Sequence, residues 1–96
     1  MKLDKVVDHG FAIVVLTRRY HYVGAVQTGT AEDGQQWLVI KGCKNIRQWG
    51  TTRGLGQLVD GPTASTVLDT VGEVRAPMVA VISVIPCNVA KWNKAA

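Results

Sequence analysis

The sequence predicts a mainly β domain, a small antiparallel barrel or sandwich of about six strands with one or two short helices. Three observations predict it. Runs dense in β-branched and other apolar residues recur at residues 11–16, 36–41 and 78–85. Glycine-bearing turn signals stand between such runs, chief among them Asp33-Gly34, a favoured hairpin dipeptide. The chain has 96 residues, 47% of them hydrophobic, which supplies one core and hence one domain over residues 1–96.

Taken in order, residues 11–16 (FAIVVL) lie between Gly10 and the paired Arg18 and Arg19, and read as a first strand. Residues 23–27 (VGAVQ) are a second, residues 29–34 (GTAEDG) a turn, and residues 36–41 (QWLVIK) a third strand. Gly42 breaks the pattern, and residues 45–49 (NIRQW) form a fourth. Thr51 or Thr52 is placed to cap a short helix carrying Leu55, Leu58 and Val59, weakened by Gly54 and Gly56 and closed by Gly61-Pro62. Strands resume at residues 65–71, turn at Gly72-Glu73, and finish at residues 78–85. Pro86 ends the last one because it cannot donate to a ladder. Asn88 is placed to cap a brief C-terminal helix through Val89 and Trp92.

Two of these strands are apolar on both faces. In residues 11–16, Phe11, Ile13 and Val15 share one side and Ala12, Val14 and Leu16 the other. A sheet with one wetted face alternates apolar with polar residues. Such strands belong at the centre of a closed barrel or sandwich, or under another subunit. Homo-oligomerisation is the expectation, since large apolar faces mark contacts.

The formal charge is +4, and residues 34–59 hold Lys41, Lys44, Arg47 and Arg53 with no acid. A basic middle segment favours an anionic partner, set against the plainer reading that such charge serves solubility. Cys43 and Cys87 form no C-x-x-C pair, and with His9 and His21 they give no tetrahedral ligand pattern. No metal and no cofactor are therefore expected, and both thiols read as small buried hydrophobes. The opening residues are charged, unlike a signal peptide, and the longest apolar run falls far below the roughly 20 residues of a membrane helix. A cytosolic, reduced protein without a membrane partner is expected. G-x-S-x-G, H-E-x-x-H and Walker patterns are absent, and residues 50–56 (GTTRGLG) lack the Walker lysine, so no enzyme is expected.

Binding is the better-supported class. In the fourth strand, alternation puts Asn45, Arg47 and Trp49 on one face and Lys44, Ile46 and Gln48 on the other. With Ile46 in the core, Arg47 and Trp49 stand together outside, with Arg53 in the adjoining loop. A guanidinium pairs with phosphate while an indole stacks on a base. Arg18, Arg19, Tyr20, His21 and Tyr22 make a second cationic-aromatic cluster between the first two strands. Such strings suit a nucleotide or single-stranded nucleic acid. The plain alternative is that Trp49 covers the end of a barrel, that Arg47 pairs with Asp60 or Glu73, and that Tyr20 and Tyr22 are ordinary strand residues.

Residues 37–40 (WLVI), 45–49 (NIRQW), 54–58 (GLGQL) and 81–88 (VISVIPCN) together resemble a family of small uncharacterised proteins encoded by tailed bacteriophages and prophages. Those proteins show an early "VIVRT"-like strand, a hairpin, a "VVLRNARRxWYW" segment, a short "SLxQL" helix and a final strand ending "IEVLPCT". The counterparts here are residues 13–18, 38–49, 54–58 and 82–88, so the resemblance runs from about Phe11 to Asn88. At Gln48 this chain departs from the family's frequent aromatic. The resemblance implies a phage origin and a small β-rich fold and supplies no activity; action in the host cytoplasm is the expectation by analogy. By analogy with small phage proteins that disarm host defence, it points to an oligomer that sequesters a small anionic ligand such as a cyclic nucleotide signal. Arg47, Trp49 and Arg53 would line the site, with Arg18, Arg19, Tyr20 and His21 reaching it from a neighbouring subunit. A nucleic-acid-binding module and a virion or host-protein interaction domain are the alternatives.

Overall fold

In the computed structural model, which describes residues 2–95, five antiparallel strands form one sheet. They are β1 (Asp4–Leu16), β2 (Tyr20–Thr30), β3 (Gln36–Gln48), β4 (Val67–Pro77) and β5 (Val81–Pro86), followed by the helix α1 (Val89–Ala95). The mainly β class is as expected. The strands number five rather than about six because glycines read as breaks lie inside longer strands.

Gly42 is the clearest case. It has φ +59°, and β2 pairs Val23 with Lys44 but Ala25 with Lys41, so β3 carries one extra residue there. A glycine can take that conformation without a Cβ clash, and the outcome is a bulge instead of a strand end. The bulge also inverts the alternation. Leu38 and Ile40 before it and Cys43 after it are buried on one face, while Ile46 is buried on the other. Gly72, at φ +104° and opposite Cys43, likewise sits within β4 and makes no turn. The last strand starts later than expected, after a 3-10 turn over Met78–Ala80.

The strand order is β4-β3-β2-β1-β5, three successive hairpins followed by a return to the far edge. β4 ends with Pro77 opposite Trp37, and β5 begins with Val81 opposite Leu16. Four residues reach at most about 14 Å, whereas the outer strands of a flat five-stranded sheet lie about 19 Å apart. The sheet therefore curls until its edges approach. It does not close, since β4 and β5 share no ladder among the described residues.

Curling creates an inside, where Ala76 and Val74 of β4 meet Val81 of β5 in one cluster with Ala12, Val14 and Leu16 of β1. The other face carries Ile13, Val23 and Ile46, covered by Leu58 and Trp92. Leu58 comes from a 3-10 helix, Leu55–Asp60, and Trp92 from α1. The Trp92 Nε1–H donates to the Leu58 carbonyl at 2.8 Å, and the ring lies 5.7 Å from that of Phe11. Both apolar faces of β1 are thus covered by the chain itself, which removes the need for a second subunit over this strand. The residue 55–60 segment is not capped by a threonine side chain. Instead the Gln57 Oε1 accepts from the backbone N–H groups of Thr52 and Arg53, at 3.1 and 3.0 Å. At α1, the Asn88 carbonyl accepts from the Lys91 and Trp92 N–H groups.

Candidate functional site

Strand register sorts the cationic and aromatic residues onto the two faces of the sheet. Tyr22 pairs with Asn45, and Asn45 with Asp69, so the three share a face. Tyr22 packs against the inner cluster, which makes this the concave side. Alternation puts Tyr20 on the same side, and Arg47, at an irregularity in the β3–β4 register between Ile46 and Gln48, joins it through its ion pair with Asp69. The Tyr20 and Tyr22 rings are parallel within 8° at 6.2 Å, with Tyr20 53% exposed. The Arg47 Nε lies 3.1 Å from the Asp69 carboxylate, both groups being exposed. The result is a strip of two phenols, an amide, a guanidinium and a carboxylate across β2, β3 and β4.

Burial raises the Tyr22 phenol above its ordinary pKa, with Cys43 and Tyr20 adding to the shift. Its hydroxyl therefore remains a neutral donor near neutral pH. The Asp69 carboxylate partly neutralises Arg47, but an exposed pair of this kind is worth only about 0–1 kcal/mol. A phosphate can displace it at little cost.

His21 and Trp49 belong to the other side of the strip. His21 stands two residues before Val23 of the covered face, and its ring meets Trp49 edge-on at 5.3 Å and 80°. Trp49 is 38% exposed. The expected alternation holds through buried Ile46 and exposed Arg47, but β3 stops at Gln48. Beyond it Trp49 turns to β2 while Arg47 leans to β4. They engage different neighbours, although the reading of the strand put them together. His21 reaches Trp49 within one chain, with no neighbouring subunit needed.

Arg18 occupies the tip of the three-residue link between β1 and β2, Thr17–Arg19, with φ 64° and ψ 25°. That left-handed conformation costs a non-glycine residue about 1–2 kcal/mol, so the position holds an exposed cation where glycine would be easier. The side chain of Arg19 lies outside the described residues. Arg53 lines a separate open cleft of about 350 Å³ with Gly56, Gln57 and Asp60. Arg47 borders another of about 160 Å³ with Gln48 and Val67. The clusters are therefore partly joined, Tyr20 with Arg47 on one face and His21 with Trp49 on the other, and Arg53 stays apart.

The loops around this end are pinned by hydroxyls. Thr63 Oγ1 donates to the Gly50 carbonyl and Thr66 Oγ1 to that of Trp49, both at 2.6 Å, while Gln48 Nε2 donates to the Ser65 carbonyl at 2.9 Å. Gly50 itself has φ +64°, and a Cβ there would lie 2.3 Å from the Ser65 carbonyl carbon. The backbone carrying Trp49 is thus held in one arrangement. The partners that the sequence did not reveal are Asp69 and Gln57. Only the fold brings the first to Arg47, and a lone glutamine in a glycine-rich loop gives no signal of three donors converging on it.

Neither thiol is set up as a nucleophile. Burial pushes Cys43 up to about 11 and raises Cys87 as well, so both are protonated near neutral pH. Among the described residues, no three His, Cys, Asp or Glu side chains gather to hold a metal, and no helix is long and apolar enough to cross a membrane. No family model, curated protein or solved structure matches the chain.

Proposed function

We propose that this domain is a phage-encoded, oligomeric binding protein that sequesters a small anionic ligand of the nucleotide class without chemical turnover. A cyclic nucleotide signal of host defence, met in the host cytoplasm, is the ligand we favour. The observation that carries the binding reading is the parallel Tyr20–Tyr22 pair, its Tyr20 ring exposed and its Tyr22 ring half-buried, on the same face as Arg47. Tyr20 offers a flat surface to a base, the Arg47 guanidinium exchanges the Asp69 carboxylate for a ligand phosphate, and Arg18 adds a second cation at the strand link. His21 and Trp49 would receive a second base over the rim, and Arg53 a more distant phosphate. Phage origin and the identity of the signal rest on the sequence resemblance alone.

Calorimetry against cyclic dinucleotides, cyclic trinucleotides and cyclic ADP-ribose isomers tests the reading. At least one is expected to bind in the low micromolar range or tighter and to be recovered intact. Tyr20→Ala and Arg47→Ala should each weaken it about tenfold or more, which is ~1.4 kcal/mol. If the whole panel binds no tighter than high micromolar, the reading is wrong.

One observation favours a second reading, a single-stranded nucleic-acid module: the Tyr20 ring stays 53% exposed at the end of the sheet. Open stacking platforms beside cations are what single strands use. Such binding falls steeply with salt because counterions are released, so filter binding to single- and double-stranded DNA at two salt concentrations separates the readings.

A further inference from the structure

We propose that the inner face of the sheet carries a second binding site, at the end away from Tyr20, where Lys5, Thr28, Thr30 and Gln36 take phosphate, free or carried on a small molecule. This site is separate from the one proposed above and stands whether or not that one binds nucleotide.

Ladder register builds it. Val26 of β2 belongs to the inner cluster, and alternation carries Thr28 and Thr30 along the same face beyond it. Val7 of β1 lies opposite Thr28, and Gln36 of β3 opposite Thr30. β1 holds an extra residue between Asp4 and Val7 and another between Asp8 and Gly10. At the first bulge Lys5 has φ 53°, a left-handed conformation that sterics disfavour for a lysine. Strained backbone of this kind gathers at binding sites. At the second bulge the His9 Nε2 lies 2.8 Å from the Thr28 Oγ1. In the tautomer with a proton on Nε2 the ring donates to that oxygen, and the threonine O–H is left for a ligand.

Between these strands lies a pocket of about 250 Å³, lined by Lys5, Val7, Thr28, Gly29, Thr30 and Gln36. Its chemistry is one-sided. An ammonium, two hydroxyls and an amide line it from three adjacent strands, and no carboxylate stands in its wall. Asp4, opposite Thr30, lies outside that wall, and Asp8 gives its carboxylate to the Gly10 N–H at 2.9 Å. Lys5 has no ion pair among the described residues. A cation without a counter-charge, set beside neutral donors, favours an anion. Donors reaching in from three strands suit a tetrahedral oxyanion, whereas a planar carboxylate is matched best by the fork of an arginine. The volume falls just below the roughly 300–1,000 Å³ of pockets that hold drug-sized ligands, which sizes the site for a phosphate with at most a small organic body. Val7, 52% exposed, gives the wall its apolar part. Thr28 stands eight residues from Tyr20 along β2, about 26 Å, so the two sites do not share one such ligand.

Amide NMR titration of the full chain with inorganic phosphate, at constant ionic strength, tests the site. The Thr28, Gly29 and Thr30 signals should shift and saturate with a Kd of about 1 mM or tighter, and acetate should bind about tenfold more weakly or worse. Lys5→Met and Thr28→Val should each weaken phosphate about tenfold, while Lys41→Met, which removes a cation outside the pocket, leaves its affinity unchanged. Glycerol phosphate binding more tightly than inorganic phosphate identifies a phosphomonoester as the ligand, and equal or weaker binding identifies free phosphate; either result upholds the site. Absence of saturable shifts at these three residues overturns it. So does acetate binding as tightly as phosphate, or Lys41→Met weakening phosphate as much as Lys5→Met. Should Lys5→Met fail to fold, full affinity in Thr28→Val is decisive against the proposal.

Discussion

Replacing Trp92 by alanine tests the cover over the convex face of the sheet. The ring is 4% exposed, lies against Phe11, and joins the cluster of Ile13, Val23, Ile46 and Leu58. Truncating a buried tryptophan costs about 3–5 kcal/mol. Loss of its N–H adds little, because the Leu58 carbonyl also accepts from the Gly61 N–H at 3.0 Å and keeps a partner. The lower half of that range, about 3–4 kcal/mol, is therefore expected. A domain of this size has about 5–14 kcal/mol in total, so the variant folds with a much reduced margin. With a urea slope of about 1–1.5 kcal/mol/M, the midpoint followed by far-UV circular dichroism should fall by roughly 2–4 M. Trp92→Phe keeps a ring against Phe11 and gives up the hydrogen bond, and should move the midpoint by about 1 M or less. If both variants unfold within about 0.3 M of the wild type, α1 does not cover the sheet. The account of why β1 can be apolar on both faces then fails.

Gly50→Ala should destabilise by about 2–4 kcal/mol, combining a left-handed Ala with a Cβ driven into the Ser65 backbone and the loss of the threonine pins. Gly34→Ala, at φ +85° with open space around it, should cost only about 1–2 kcal/mol, and comparing the two midpoints isolates the steric term. Cys43 ionises at about 11 in the folded chain, above the ordinary 9.0, so its contribution to stability is complete below pH 9 and is lost as pH rises toward 11. Between pH 8 and pH 10 the wild type should lose about 1 kcal/mol more than Cys43→Ala, and native Cys43 should resist thiol reagents at pH 8 until the chain is unfolded. Arg18→Gly should raise stability by about 1 kcal/mol through relief of its left-handed backbone while weakening nucleotide binding; a variant that is both more stable and fully competent would remove Arg18 from the site.

Some of this was legible in the residues. β-branched runs such as residues 11–16 and 78–85 marked strands, although the last begins only at Val81, Asp33-Gly34 marked the hairpin between β2 and β3, and Pro86 marked the end of β5. Ile46 as a buried residue flanked by an exposed Arg47 also followed from alternation along a single strand. Glycine is more ambiguous. Gly42 and Gly72 read as breaks in the sequence, yet each continues its strand, because a positive φ serves a turn and a bulge equally and only the partner strand decides between them.

The branching, ring size and charge of neighbouring residues act over a few positions, and they were enough to determine a small β domain with a basic, aromatic middle. Which residues meet was settled only by folding. The hydroxyl-pinned loop carries Trp49 to His21, Arg47 at a break in the β3–β4 register pairs with Asp69 and not with Trp49, and curling of the sheet brings Ala76 of one edge strand and Val81 of the other into one cluster. Ladder pairing couples positions far apart in the chain, and a one-residue bulge exchanges the faces of everything beyond it. No window of local sequence contains that information.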